Sequence, residues 1–178
     1  VNIRAATPQD VVLLHELVNS AYRGDSSKKG WTTEADLLGG QRTDPDSLLS
    51  MIEDPQAVIL LTFEDRDLIG CVFLKNQNTH GYLGMLTVKP TLQSSGLGRE
   101  ILRASEDWVS QKWHLPKMEM QVIRQRGELI AWYERRGYAV TDQRRPFPYG
   151  DAKFGLPKVE DLEFVIMEKS LPTADRPA

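Results

Sequence analysis

Residues 84–102 read GMLTVKPTLQSSGLGREIL: a β-rich apolar run, a proline that stops it, two serines and two glycines, then a charged and apolar run with helical spacing. Glycine lets backbone amides converge, and a helix start presents unpaired N–H groups carrying a partial positive charge. A phosphate is the natural guest of such a turn. The glycines prove little alone, because at about 7% of residues a bare G-x-G arises by chance about once in a chain this long. The turn gains meaning from the strand before it, the helix after it and a second motif elsewhere.

Downstream, REILRASEDWVSQKW (99–113) sets Ile101, Leu102, Ser105, Trp108, Val109 and Trp113 on one side of a long helix. KMEMQVI (117–123) reads as a strand, GELIAWYERRG (127–137) as a short helix ended by Gly137, and YAVTDQR and DLEFVIMEK as the last two strands. Upstream, AVILLTFED and DLIGCVFLKNQ form a hairpin through EDRD. VNIRAA opens the chain as a strand. Thr7, Pro8 and Asp10 then start a helix to about Tyr22, with Val11, Leu14, Leu17, Val18 and Ala21 facing inward. GDSSKKG (24–30), with Lys28 and Lys29, reads as a loop, and GWTTEADLLGGQRTD (30–44) as a short helix closed by Gly39 and Gly40. DPDSLLSMIED (44–54) is a second short helix, capped by Asp44 with Pro45 inside it.

The 178 residues fit one domain, residues 1–171, with residues 172–178 expected to fray. Lys+Arg 22 against Asp+Glu 25 gives a net charge of -3 without any dense basic run, so no nucleic-acid partner is expected. The single cysteine, Cys71, lies in the apolar run LIGCVFL and reads as a small buried hydrophobe. His15, His80 and His114 stand far apart, so no metal site is expected. VNIRAATPQDV lacks a basic segment followed by an apolar one, and no window approaches the ~18 apolar residues of a membrane span, so a soluble, cytoplasmic protein with no membrane partner is the expectation. The turn lacks the third glycine of the dinucleotide fingerprint, and G-x-x-x-x-G-K-[ST] is absent.

The order of these parts resembles the GNAT superfamily of acyl-CoA-dependent N-acyltransferases over nearly the whole chain. Gln93, Gly96 and Gly98 match the family's Q/R-x-x-G-x-G/A turn between strand and helix. LIAWYERRGY (129–138) is similar to the family's later helix, with a tyrosine three residues before a basic one and a glycine-aromatic end. The resemblance implies an α/β (α+β) single-domain fold. Its mixed, mostly antiparallel twisted sheet of about seven strands is flanked by helices, and the parallel central strands around 82–89 and 117–123 splay apart around a pantetheine arm. It implies acetyl-CoA as cosubstrate and no metal. The pyrophosphate would rest on the turn of Gln93, Ser94, Ser95, Gly96, Leu97, Gly98 and Arg99. Backbone N–H groups of Leu86, Thr87 and Val88 would polarise the thioester carbonyl, unless they serve only as ladder donors. One departure is Arg126, seven residues before Tyr133, where many relatives carry asparagine. It has two readings, a bidentate phosphate donor or a solvated arginine at a helix start.

Acetyl transfer to an amine needs a neutral nucleophile, a polarised carbonyl and a proton for the leaving thiolate. A thiol has a reference pKa of about 8.5 and a phenol about 10, so a tyrosine can donate while staying protonated at neutral pH. By resemblance Tyr133 takes that role. Tyr22, Arg23, Trp31, Glu34 and Arg42 cluster where relatives receive their acceptors. Glu34 would bind an ammonium or relay its proton, Trp31 offers a flat face to a cation or apolar group, and Arg23 and Arg42 would grip a carboxylate. Each has an ordinary alternative as a solvated or internally paired side chain. Glu119, alternating with Met118 and Met120, faces either the cleft or solvent. The expected activity is acetyl transfer from acetyl-CoA to a primary amine of a small molecule by direct attack. The alternatives are a protein or peptide amino group as acceptor, and a non-catalytic acyl-CoA-binding module. Oligomeric state stays open, a homodimer included.

Overall fold

Apolar residues on both faces of the central strands require a sheet covered on two sides. In β3 (Ala57–Glu64), Ile59 and Leu61 join one core and Leu60, between them, joins the other. The computed structural model describes residues 1–28, 30, 33–151 and 155–172. Seven strands form one sheet in the order β1 (Asn2–Ala5), β3, β4 (Asp67–Asn76), β5 (Gly81–Val88), β6 (Lys117–Ile123), β9 (Glu163–Ser170) and β7 (Ala139–Pro146). All neighbours are antiparallel except β5 and β6. This is the mixed α/β arrangement that the resemblance implies.

On one face, α1 (Val11–Tyr22) and α3 (Pro45–Glu53) bury Leu14, Leu17, Val18 and Leu48 against Ile59, Leu61 and Met85. On the other, α4 (Leu97–Asp107) lays Ile101 and Leu102 over Val72, Leu83 and Met118, with Tyr133 of α5 (Gly127–Glu134) in the same core. The caps follow the sequence. Ser47 N donates to Asp44 Oδ1 at 2.8 Å at the start of α3, a contact worth about 1 kcal/mol, and Thr7 N donates to Asp10 Oδ2 at 2.8 Å before α1.

Leu83 and Met85 are two residues apart, yet they enter opposite cores. A bulge explains this: Cys71 pairs with Thr87 and Phe73 with Gly84, so Met85 and Leu86 together oppose Val72. Met85 sits at φ 56, a conformation that costs a non-glycine residue of order 1–3 kcal/mol unless its surroundings hold it. Thr87 Oγ1 at 2.9 Å and Cys71 Sγ at 3.8 Å both donate to the Met85 carbonyl. Parallel pairing of β5 with β6 ends at Leu83 and Met120, and beyond that point the strands part. The expected splay is therefore present, with the bulge at its mouth.

Three local expectations are corrected. Among the described residues of 30–44 there is no helix: the chain turns at Ala35–Leu37 and then pairs β2 (Leu38–Gly39) with β8 (Leu156–Pro157). Lys158 N donates to Leu37 O at 2.8 Å, and Leu38 packs with Ile123, Phe147 and Leu162. Long-range pairing overrides a weak local helical preference, further weakened by Gly39 and by Gly40 at φ 72. Within 24–30, Gly24–Ser27 form one helical turn, α2, rather than loop. The long helix stops being α-helical at Asp107 and continues as a π turn, Trp108–Lys112, with Trp108 and Trp113 packed partly buried on the core. Lys29, Trp31 and residues 173–178, on which earlier expectations fall, lie outside the described residues.

Cys71 is fully buried, and burial pushes its thiol up to about 12. A raised pKa keeps the unreactive thiol form through mildly alkaline pH. Iodoacetamide should therefore leave the native chain unmodified by intact mass and label this cysteine only after denaturation. Native-state labelling would contradict the packing described.

Candidate active site

After Val88 the chain makes a 3-10 turn, Pro90–Leu92, and then the glycine turn. Gln93 Nε2 donates to Val88 O at 3.3 Å and Ser95 Oγ to Leu92 O at 2.6 Å, which fix the turn to the strand end. Ser94 at φ 69 and Gly96 at φ 89 turn the chain into α4 at Leu97. Glu100 N makes the first helical bond, to Gly96 O at 3.2 Å, so the amides just before it have no helical acceptor. Gly96, Gly98 and Arg99 of this helix start line a cleft of about 410 Å³. Of the residues read from the sequence as cofactor contacts, Leu86, Thr87, Val88, Gln93, Ser94, Gly96, Gly98, Arg99 and Arg126 line it. Ser95 and Leu97 do not: the Ser95 hydroxyl is bonded within the turn, and the Leu97 side chain is buried in the core.

The far wall comes from α5 and the residues after it, through Leu129, Trp132, Tyr133, Arg135 and Arg136. Apart from Tyr133, these were not among the expected site residues. The signal lay in their spacing, since positions 129, 132, 133 and 136 share one helical face. The Arg136 guanidinium lies 3.8 Å from the centroid of the Trp132 ring and donates to Trp132 O at 2.8 Å. Burial, then Arg99 and Arg135, hold its pKa below the usual value, which marks a like-charge cluster suited to an anion.

A second cleft of about 270 Å³ opens into the splay on the other side of the bulge. Tyr22, Leu86, Leu129, Arg126 and Tyr133 line both, so the clefts meet there. Tyr133 is buried, and burial first, then Tyr22, raise its pKa, while Arg126 works in the opposite direction. The phenol therefore stays protonated well into alkaline solution. Tyr22 donates to Leu86 O at 2.6 Å, its own pKa raised by burial. That bond ties α1 to the bulged strand at the junction.

The second cleft brings together Tyr22, Arg23, Glu34 and Arg42, four of the expected acceptor residues. The Glu34 carboxylate is not open to the cleft as a free base. Its Oε1 accepts from Arg23 and its Oε2 from Arg126 at 3.3 Å. Arg126, read from the sequence as a phosphate donor or a solvated arginine, is buried, lines both clefts and reaches from the start of α5 to this carboxylate. Burial, then Arg42, push the Arg23 guanidinium down to about 9, which leaves it charged at neutral pH beside Glu34. Arg42 lies over the Tyr22 ring at 5.1 Å. The rest of the wall is largely apolar, including Phe73, Met120, Phe147 and Phe164, with Tyr82 and Gln121 as polar members. Glu119 lines neither cleft: it pairs with His80 and Arg145, each at 3.5 Å. Among the described residues no cluster of metal-ligating side chains occurs, and no helix is long and apolar enough to cross a membrane.

A family model described as Acetyltransferase (GNAT) family matches residues 14–138. No curated protein sequence matches the chain. Solved structures share its architecture. The ribosomal-protein-S18-alanine N-acetyltransferase from Escherichia coli superposes with a TM-score of 0.71 at 15% identity, over 99% of this chain and 97% of that one. YncA from Salmonella typhimurium, solved with its cofactor acetyl-CoA, gives 0.69 at 20% identity, over 99% and 97%. A spermidine N-acetyltransferase SpeG chimera of Vibrio cholerae and hSSAT gives 0.67 at 15% identity, over 96% of each chain.

Proposed function

The chain belongs to the acetyltransferase (GNAT) family and is an acetyl-CoA-dependent N-acetyltransferase; from that premise we propose that it acetylates a primary amine of a small molecule by direct attack. The observation that carries this reading is the meeting of two clefts at Tyr133, one with an anion cradle and one largely apolar. The residues fit acetyl-CoA. Convergent amides and Arg99, Arg135 and Arg136 suit a pyrophosphate, and Leu86 to Val88 lead from the turn to the junction.

Bound acetyl-CoA supplies an activated thioester, whose carbonyl carbon the amine attacks and whose sulfur leaves with the electrons of the C–S bond. Tyr133 gives that sulfur its proton and is restored by the proton the attacking nitrogen loses. The only cysteine of the chain is buried outside both clefts, which supports direct attack over a cysteine acyl-enzyme. Glu34, engaged by two guanidiniums, acts as a positioning residue rather than as the base. The second cleft, about 270 Å³ and lined in part by Leu38, Phe147 and Phe164, has a volume that suits a small acceptor better than a polypeptide.

Thiol release from acetyl-CoA tests the reading. Small amines should drive turnover, and peptides of similar amine basicity should not. Turnover with peptides alone would favour the protein-acetylating alternative, and tight acetyl-CoA binding without any acceptor-dependent release would favour the non-catalytic module. The pH profile is a second check. The rate should rise as the acceptor loses its proton, and a raised Tyr133 pKa keeps the acid form available, so kcat should show no descending limb below the reference phenol value of about 10. A fall in kcat as pH rises toward that value, in stable enzyme saturated with acceptor, would exclude Tyr133 as the acid.

A further inference from the structure

The acceptor cleft carries more positive charge than its own carboxylate can match. Arg23, Arg42 and Arg126 line it, and Glu34 is the only carboxylate doing so among the described residues. Three of these four are almost fully buried: Arg23 is 5% exposed, Glu34 5% and Arg126 6%. Both oxygens of Glu34 are already engaged, one by each neighbouring arginine. The buried Arg23 Nε has no hydrogen-bond partner among the described residues. Arg126 also stands 4.0 Å from Glu128, which lines neither cleft, so among the described residues three guanidiniums share two carboxylates; buried charge in excess of its counter-charge is costly, and a bound anion offsets that cost. An amine bearing no anionic group would instead meet a like-charge field.

Resting on the reading of this cleft as the acceptor pocket, we propose that the acceptor is an α-amino acid with an apolar side chain, its carboxylate held by Arg23, Arg42 and Arg126. Position supports the α relation. In such a molecule amine and carboxylate share one carbon, so the anion donor must stand beside the reacting nitrogen. Arg126 does: it lines both clefts where they meet at Tyr133. Guanidinium suits the task because its planar fork matches a carboxylate bidentately. The remaining lining, with Phe73, Leu83, Met120, Val122, Phe147 and Phe164, offers an apolar recess for the side chain. The same positive field favours the neutral amine over the ammonium, so it helps to prepare the nucleophile with Glu34 occupied elsewhere.

Matched pairs isolate the carboxylate: L-leucine against isoamylamine, L-methionine against 3-(methylthio)propylamine, and L-phenylalanine against phenethylamine. The kcat/KM of at least one amino acid should exceed that of its decarboxylated partner by roughly 10²-fold or more, a conservative floor against the ~10⁴-fold by which sites built to bind a polar group reject an analogue lacking it. Arg23→Gln should shrink that ratio by about tenfold or more, chiefly through the amino acid's KM, with acetyl-CoA affinity retained because Arg23 does not line the cofactor cleft. Arg23→Lys should restore part of it. The wild-type comparison stands even if the variants fold poorly. Equal or better turnover of the decarboxylated amines, or of spermidine, would overturn the proposal and leave N-acetylation of small amines intact. If neither members of the pairs nor spermidine turn over, and calorimetry detects no binding of them to CoA-saturated protein, both the proposal and the reading of this cleft fall.

Discussion

Tyr133→Phe is expected to keep acetyl-CoA affinity while kcat falls by roughly 10²- to 10⁴-fold, the scale of losing a general acid. The substitution keeps the ring and therefore its packing, edge-on to Trp132 at 5.1 Å and to Tyr138 at 5.9 Å between centroids. What it removes is the hydroxyl of a side chain that lines both clefts. A core role would show as lost stability with normal turnover in the molecules that remain folded. An acid role shows the reverse pattern, a thermal midpoint near wild type and slow thiol release. Single-turnover mixing of acetyl-CoA-loaded enzyme with acceptor separates chemistry from product release. An unchanged single-turnover rate would leave Tyr133 as a packing residue and require another proton donor at the junction.

The second half of the chain was the more legible, because its signals are local. A proline-stopped strand, a glycine turn and an amphipathic helix announce themselves within residues 84–102, and α5 carries Tyr133 in a recognisable setting. The acceptor side was legible only in composition. Arg23, Glu34 and Arg126 are separate in sequence, the last two 92 positions apart, so no spacing rule joins them. Their juxtaposition depends on β2 pairing with β8, and Leu38 and Gly39 give no strand signal on their own. The bulge was equally hidden. Nothing about methionine favours φ 56; Met85 is held there by Thr87 and Cys71, whose roles emerge only once β4 and β5 are in register.

Gly98→Glu should weaken acetyl-CoA binding by on the order of 10²-fold or more, the scale of placing an unfavourable charge at an ionic contact. Gly98 opens the first turn of α4 and lines the cofactor cleft, and a Cβ there would lie 3.4 Å from the Trp132 ring, an ordinary contact. Gly98→Ala therefore serves as a control for size, with little expected loss. Gly96→Glu is the harsher variant, because Gly96 stands at φ 89, where a side chain is strained even though open space surrounds it. Its effect mixes backbone strain with charge, so thermal unfolding must accompany its calorimetry. Gly98→Glu leaves the left-handed residue alone and isolates the carboxylate facing the phosphates. Should a folded Gly98→Glu chain bind acetyl-CoA as tightly as wild type, the phosphates must sit away from the helix start. Their remaining partner surface would be the neighbouring basic hollow of Arg99, Arg103, Arg135, Arg136 and Lys169, and substitutions there would then carry the affinity.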